Sequence, residues 1–179
     1  MAKSDCLDLF GSARHIRVFM GAEEQDFSRQ QLGGKNQPGV WIGDLGGLCL
    51  YWVTPWLITS RNIQAPGWYL AFCVSLYAFG VFTHFASDMQ KTTAMQLRPG
   101  ELITTGMFAR LRNPNYFGEL LIYSGFGLLA IHWLPVVILL VWVGFVWIPR
   151  MLQKERVLAQ LPGFEQYKTH SKLFIPFII

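Results

Sequence analysis

Glu119 is the residue whose type and position most clearly suggest chemistry, because it is ionisable and lies in an apolar stretch, within RNPNYFGELLIYSG. If that stretch crosses a membrane, the carboxylate is costly to insert, and such groups mark functional sites by default. Asn115 and Tyr123 lie four residues before and after it, so the three side chains share one helix face. Glu119 could instead cap the first helical turn, where negative charge is favourable. The face predicts a polar site offering a ligand an amide, a carboxylate and a hydroxyl.

A second polar cluster lies at the end of another apolar stretch, in HFASDMQK. His84, Asp88 and Lys91 are spaced i, i+4 and i+7, which again places them on one helix face. Asp88 ends an apolar helix at the negative end of its dipole, where a carboxylate needs a partner. Lys91 could be this partner, and so could a ligand hydroxyl or amide. The cluster is therefore a second candidate binding site.

Three arginines stand close in sequence to these clusters. Arg98 precedes a Pro–Gly turn, Arg112 precedes the segment that leads to Glu119, and Arg150 ends the last apolar stretch. The planar guanidinium matches phosphate oxygens, so these positions favour a phosphate clamp. The alternative is that they only mark the cytosolic side of a membrane and attract anionic lipid.

The scaffold for these groups must be a membrane domain, because the chain is too apolar for an ordinary soluble one. Of its 179 residues, 52% are hydrophobic and 15% are charged, against roughly 25% charged in typical soluble domains. A disordered chain would have few aromatic residues and more charge. The three cysteines form no C-x-x-C pair, so neither a metal site nor a disulfide framework is expected.

The apolar residues are concentrated in four stretches. They are residues 41–59, 67–87, 116–131 and 134–149. A helix needs about 20 apolar residues to cross a bilayer, whereas buried strands are much shorter, and a soluble bundle would need charged helix faces. The sequence predicts an all-α integral membrane bundle with about four transmembrane helices. The last two form a tight hairpin, because their link is so short.

Basic residues predict the orientation of this bundle. Five precede the first stretch, four lie between the second and third, and five follow the fourth. If four spans alternate sides, all but one of the 15 basic residues share one side, which the positive-inside rule makes cytosolic. The amino terminus, central loop and carboxyl terminus are therefore expected in the cytosol. We assign residues 1–40 as a polar arm and 41–179 as the multi-pass membrane domain.

Four segments resemble the carboxyl-terminal domain of the steroid 5α-reductase family, within residues 66–179. They are SDMQK at 87–91, LRPGE at 97–101, TGMFARLRNPNYFGE at 105–119 and the tail KERVLAQLPGFEQYKTHSKLFIPF at 154–177. The family consists of membrane helical bundles that use NADPH to reduce a carbon–carbon double bond conjugated to a ketone. The resemblance implies a lipophilic substrate, such as a steroid-like or lipid enone.

The resemblance and the polar clusters together define a predicted cofactor-binding set. It comprises Asp88, Lys91, Arg98, Arg112, Asn115, Tyr116, Glu119, Tyr123 and Arg150. Catalytic residues are left unassigned, because characterised reductases have a longer amino-terminal half that supplies their proton donors. Tyr51 and Tyr77 are the candidates for such a proton donor in this chain. No metal is expected.

A related superfamily of membrane methyltransferases shares the hairpin and provides the alternative. Its members use S-adenosylmethionine to modify isoprenylcysteine carboxylates or phospholipid amines. They usually carry Arg-His-Pro where this chain has Arg112, Asn113 and Pro114, and adjacent glutamates where it has only Glu155. A second alternative is a non-catalytic membrane protein derived from this family.

The expected partners are the lipid bilayer and a lipophilic small molecule, with no nucleic acid. A homo-oligomer stays open, because four short spans could need a second copy of the chain to close a cavity. The sequence leaves the substrate unspecified under every one of these interpretations.

Overall fold

The computed structural model describes residues 52–176. The predicted arm at 1–40 and most of the first apolar stretch, with Asp44 and Tyr51, lie outside the described residues. Residues 52–60 are helical, and four helices follow. They are α1 at Gly67–Leu97, α2 at Pro114–Leu128, α3 at Trp133–Leu158 and α4 at Phe164–His170. The described part of the chain contains no strand, so the prediction of an all-α membrane bundle is confirmed.

Helix α1 is ten residues longer than the apolar stretch that predicts it. It begins after Pro66 and ends at Leu97, just before Arg98 and Pro99. Its 31 residues span about 46 Å at 1.5 Å per residue, more than the roughly 30 Å of a hydrocarbon core. The helix therefore has length to extend beyond the hydrocarbon, and its carboxyl-terminal turns carry the polar side chains that follow His84.

Glycines bring α1 and α2 into direct backbone contact. A Cβ atom added at Gly118 would lie 2.5 Å from the backbone nitrogen of His84, and one at Gly125 would lie 2.8 Å from the carbonyl oxygen of Cys73. From the α1 side, a Cβ at Gly80 would lie 2.7 Å from the backbone nitrogen of Ile122. Small residues at helix interfaces permit such close packing in membranes. The two helices thus run antiparallel, with no room for side chains at the crossing.

The predicted hairpin of the last two apolar stretches is confirmed. Residues 129–132 join α2 to α3, and a Cβ at Gly127 would lie 3.2 Å from the Pro135 side chain. The His132 side chain accepts a hydrogen bond from the Leu134 backbone nitrogen and so caps the start of α3. A π-helical turn, Val143–Trp147, interrupts α3 midway.

Three of the predicted spans fall within residues 52–176, and two of them correspond to helices that are long enough to cross a membrane. Helices α1 and α3 are long and apolar enough to cross a membrane. Helix α2, with 15 residues, extends about 22 Å, which is less than the hydrocarbon thickness. The third predicted span is therefore a shorter helix packed between two long ones.

The carboxyl-terminal tail folds back onto the segment that precedes α2. The Lys172 nitrogen donates to the Arg110 carbonyl at 2.8 Å, and the Asn113 nitrogen donates to the Leu173 carbonyl at 3.0 Å. Leu173 and Phe174 then enter a buried apolar cluster with side chains from α3. Its buried members are Val143, Trp147, Met151, Leu173 and Phe174. The tail is thereby tied to both the start of α2 and the middle of α3.

Tyr167 on α4 stabilises the same region through a hydrogen bond. Its buried hydroxyl donates to the Phe108 carbonyl at 2.6 Å, and burial raises the pKa of Tyr167 to about 12. Because the folded-state pKa exceeds the ordinary value of 10.0, the neutral side chain stabilises the fold below pH 10, and this contribution is lost as pH rises through 12.

We therefore expect Tyr167→Phe to lower the free energy of unfolding by about 1 kcal/mol at neutral pH. The variant should also lose less stability than the parent between pH 10 and 12. Urea titrations in detergent at three pH values measure both effects. Identical pH profiles for the two proteins would contradict this role.

Candidate functional site

His84 on α1 lies between two carboxylates contributed by two helices. Its Nε2 atom is 3.6 Å from Asp88 Oδ2 on α1, and its Nδ1 atom is 3.7 Å from Glu119 Oε1 on α2. The Nδ1 atom also lies 3.4 Å from the backbone carbonyl oxygen of Asn115. The close crossing at Gly118 places these groups side by side. The two clusters predicted from separate segments therefore form one site.

The carboxylates remain accessible to a ligand. Glu119 lies five residues into α2, about 7.5 Å from its start along the axis. Its side chain is 29% exposed and that of Asp88 is 47% exposed. Both carboxylates can therefore be reached by a ligand from outside the helix bundle.

Cationic side chains from α3 form the other half of the site. The Lys154 ammonium donates to Asn113 Oδ1 at 3.1 Å and lies 5.7 Å from the centre of the Tyr116 ring. Arg150, one turn earlier on α3, acts electrostatically on both Tyr116 and Glu119. The site therefore combines negative groups from α1 and α2 with positive groups from α3.

Aromatic rings line the interface between α2 and α3. The Tyr116 and Tyr123 rings lie 5.5 and 5.9 Å from the Trp147 ring, between centroids. Trp147 belongs to the π-helical turn of α3, a feature that occurs often at functional sites. Ring faces of Tyr and Trp attract cations. Because Trp147 is itself buried in the apolar core, the rings left to contact a positively charged group are those of Tyr116 and Tyr123.

Arg112 does not serve as a phosphate clamp in this structure. Its side chain is buried, and its Nε atom donates to Glu155 Oε1 in an ion pair. Its Nη1 atom donates to the Ser171 carbonyl at 2.5 Å and to Ser171 Oγ at 3.2 Å. The guanidinium thus bonds to protein acceptors through Nε and Nη1 and joins α3 and the tail to the start of α2.

Arg98 also stands apart from the polar site. It caps the end of α1, its side chain is 76% exposed, and its nearest carboxylate is that of Glu101 at 4.0 Å. Fourteen residues separate it from His84 along α1, which is about 21 Å. The three arginines therefore do not converge on one phosphate site, because Arg112 is used in the fold and Arg98 lies beyond the end of the cluster.

Asp88 lies next to His84 and not next to Lys91, which the sequence suggested as its partner. Among the described residues, the side chain within 4.0 Å of this carboxylate is His84, not Lys91. Lys91 instead acts electrostatically on Lys154. The i, i+4 spacing therefore places His84, and not Lys91, next to Asp88.

Most of the predicted set does come together. The members brought into the site are Asp88, Asn115, Tyr116, Glu119, Tyr123 and Arg150. The set omits His84, although its spacing from Asp88 was visible, and it omits Lys154. Lys154 lies four residues after Arg150, so a shared helix face was the available signal.

Comparisons with known proteins indicate the family to which the helices of this site belong. A family model described as phospholipid methyltransferase matches residues 65–161, more than half of the chain. No curated protein and no solved structure matches. The match supports the methyltransferase alternative, whereas the reductase interpretation and NADPH gain no support from it. It also contains all of α1, α2 and α3, the three helices that build the site. The chain belongs to the phospholipid methyltransferase family.

Proposed function

We propose that the chain is a membrane methyltransferase that uses S-adenosylmethionine to methylate the amine of a phospholipid headgroup. The observation that carries this proposal is the pair of carboxylates, Asp88 and Glu119, held around His84 beside aromatic rings. The family match over the same helices supports it.

The residues present fit a cationic cofactor better than a nucleotide phosphate. S-adenosylmethionine carries a sulfonium and an ammonium but no phosphate, so carboxylates and ring faces suit it. Three phosphates, as in NADPH, would require several cations to converge, and Arg98 and Arg112 are placed elsewhere. The same carboxylates suit a headgroup ammonium.

When bound, S-adenosylmethionine supplies a methyl group on positively charged sulfur, which a neutral amine can attack. Asp88 and Glu119 attract the ammonium groups of both ligands, that of the cofactor's amino-acid part and that of the headgroup, and orient them between α1 and α2. One of the two carboxylates, that of Asp88 or that of Glu119, accepts the single proton that the headgroup ammonium must lose to become a neutral amine. The His84 ring nitrogens lie 3.6 and 3.7 Å from these carboxylates, and the apolar helices limit the access of water to the site.

Ligand titration tests this proposal directly. We expect the purified protein in detergent to bind S-adenosylhomocysteine and not NADPH, measured by calorimetry. In liposomes, it should transfer a labelled methyl group to phosphatidylethanolamine. Binding of NADPH alone would overturn the proposal in favour of a reductase. Binding of neither, with no methyl transfer, would indicate a non-catalytic relative.

Glu119→Gln should weaken binding of S-adenosylhomocysteine at least tenfold, because the loss of a charge-assisted contact costs about 1.5 to 3 kcal/mol. Thermal unfolding should change little, since the carboxylate is partly exposed. Glu101→Gln, at an exposed glutamate outside the site, is the matched control. Normal affinity combined with a lower Tm would mean that Glu119 is structural.

A further inference from the structure

Within residues 52–176, no carboxylate lies within 4.0 Å of the Lys154 ammonium. The Lys154 side chain is partly buried, and its ammonium makes one hydrogen bond among the described residues, to Asn113 Oδ1 at 3.1 Å. An ammonium has three N–H donors. Lys154 therefore has donor capacity beyond its bond to Asn113.

The carboxylates of the site do not pair with this ammonium. Asp88 and Glu119 act on Lys154 electrostatically, yet within residues 52–176 neither lies within 4.0 Å of it. Lys91 adds a positive charge at similarly long range. Withdrawing an ammonium from water without a close anion is unfavourable. An anion bound beside Lys154 would offset that cost.

The position of Lys154 is set in advance by the tail. The Asn113 side-chain nitrogen donates to the Leu173 carbonyl at 3.2 Å, so the amide oxygen faces Lys154. Leu173 is itself buried in the cluster around Trp147. Because the amide cannot turn without losing its bond to Leu173, the lysine is held in one place. A preorganised donor loses little side-chain entropy when a ligand binds.

We propose that Lys154 binds an oxyanion of the ligand, while Asp88 and Glu119 bind the cationic part of the same or a neighbouring ligand. This inference rests on the proposed function. Two ligands present the required chemistry, an anionic oxygen close to an ammonium. One is S-adenosylmethionine through its carboxylate, and the other is the phospholipid through its phosphate. Lys154 is then a binding residue that selects zwitterionic ligands.

Lys154→Met tests this inference with two ligands that differ only in the amino-acid group. If Lys154 binds the carboxylate, the variant should bind S-adenosylhomocysteine at least tenfold more weakly. Its affinity for 5′-methylthioadenosine, which lacks that group, should be unchanged. If it binds the lipid phosphate, both nucleoside affinities should stay the same and the KM for phosphatidylethanolamine should rise at least tenfold. Either result supports an oxyanion site.

Two further variants separate charge from structure. Lys154→Arg should recover part of the lost affinity, because it restores the cation. Arg156→Met, at an exposed position on the same helix, should leave both ligands unaffected. If Lys154→Met does not fold, Lys154→Gln provides the same test. Its amide can still donate to Asn113 Oδ1 but carries no charge, so oxyanion binding should weaken to a similar degree.

Unchanged affinity and unchanged KM in Lys154→Met, or in Lys154→Gln, would overturn the oxyanion site. That failure is distinct from a failure of the proposed function. In the first case the unmodified protein still binds S-adenosylhomocysteine and transfers methyl groups. In the second case it does neither.

Discussion

Arg112→Met is expected to lower the free energy of unfolding by about 3 to 5 kcal/mol, the cost typical of removing one partner from a buried ion pair. The Glu155 side chain is only 15% exposed and would keep an uncompensated charge. The Ser171 carbonyl would lose its 2.5 Å bond to the guanidinium. The substitution therefore affects both α3 and the tail.

Urea titration in detergent, followed by circular dichroism, measures this loss. Arg98→Met is the control, since its side chain is exposed and its contact with Glu101 is long; we expect a change of at most about 0.5 kcal/mol. The double substitution Arg112→Met with Glu155→Leu should recover part of the loss, because no unpaired charge remains. Equal, small effects of Arg98→Met and Arg112→Met would contradict a structural ion pair.

Gly118→Val is the second substitution with a large expected effect, about 3 kcal/mol or more. Its Cβ would lie 2.5 Å from the His84 nitrogen and 2.8 Å from the His84 Cα atom. These are backbone atoms, so the helices must separate. Separation would also move His84 away from Glu119, and binding of S-adenosylhomocysteine should fall together with stability.

Gly144→Val is the matched control for this prediction. Gly144 lies on α3, in the same hairpin, and a Cβ added there meets nothing within 4 Å. Thermal unfolding and ligand titration of the two variants should differ sharply. A folded Gly118→Val protein with normal ligand affinity would mean that α1 and α2 do not need their close crossing.

Regular structure was predictable because it depends on local properties of the chain. Long apolar runs and the short link from His132 to Pro135 predict helices and a hairpin. Both are present, with the connection at 129–132. The length of α1 was underestimated, since charged residues after His84 end the apolar run but do not end the helix. Hydropathy reports contact with lipid, whereas helix continuation depends on backbone hydrogen bonds.

The candidate site was predictable where its members share a helix. The four-residue spacing of Asn115, Glu119 and Tyr123 places them on one face of α2, and that of His84 and Asp88 does the same on α1. Arg98 and Arg112 are close in the sequence, but the structure does not bring them together. Arg112 is bound to Glu155, 43 residues away, and no local pattern reveals such a pair.

The amino-acid sequence was sufficient to establish that this chain enters a membrane as helices, that its last two long apolar segments fold back on each other, and that carboxylates lie on particular helix faces. Periodicity and hydropathy are properties of neighbouring residues, so they can be read directly. The tertiary structure decides which helix faces meet. It also decides that Arg112 pairs with Glu155 and that the Lys154 ammonium bonds to Asn113. Those outcomes depend on contacts between distant segments, where the glycine crossing and the returning tail set the distances between charges.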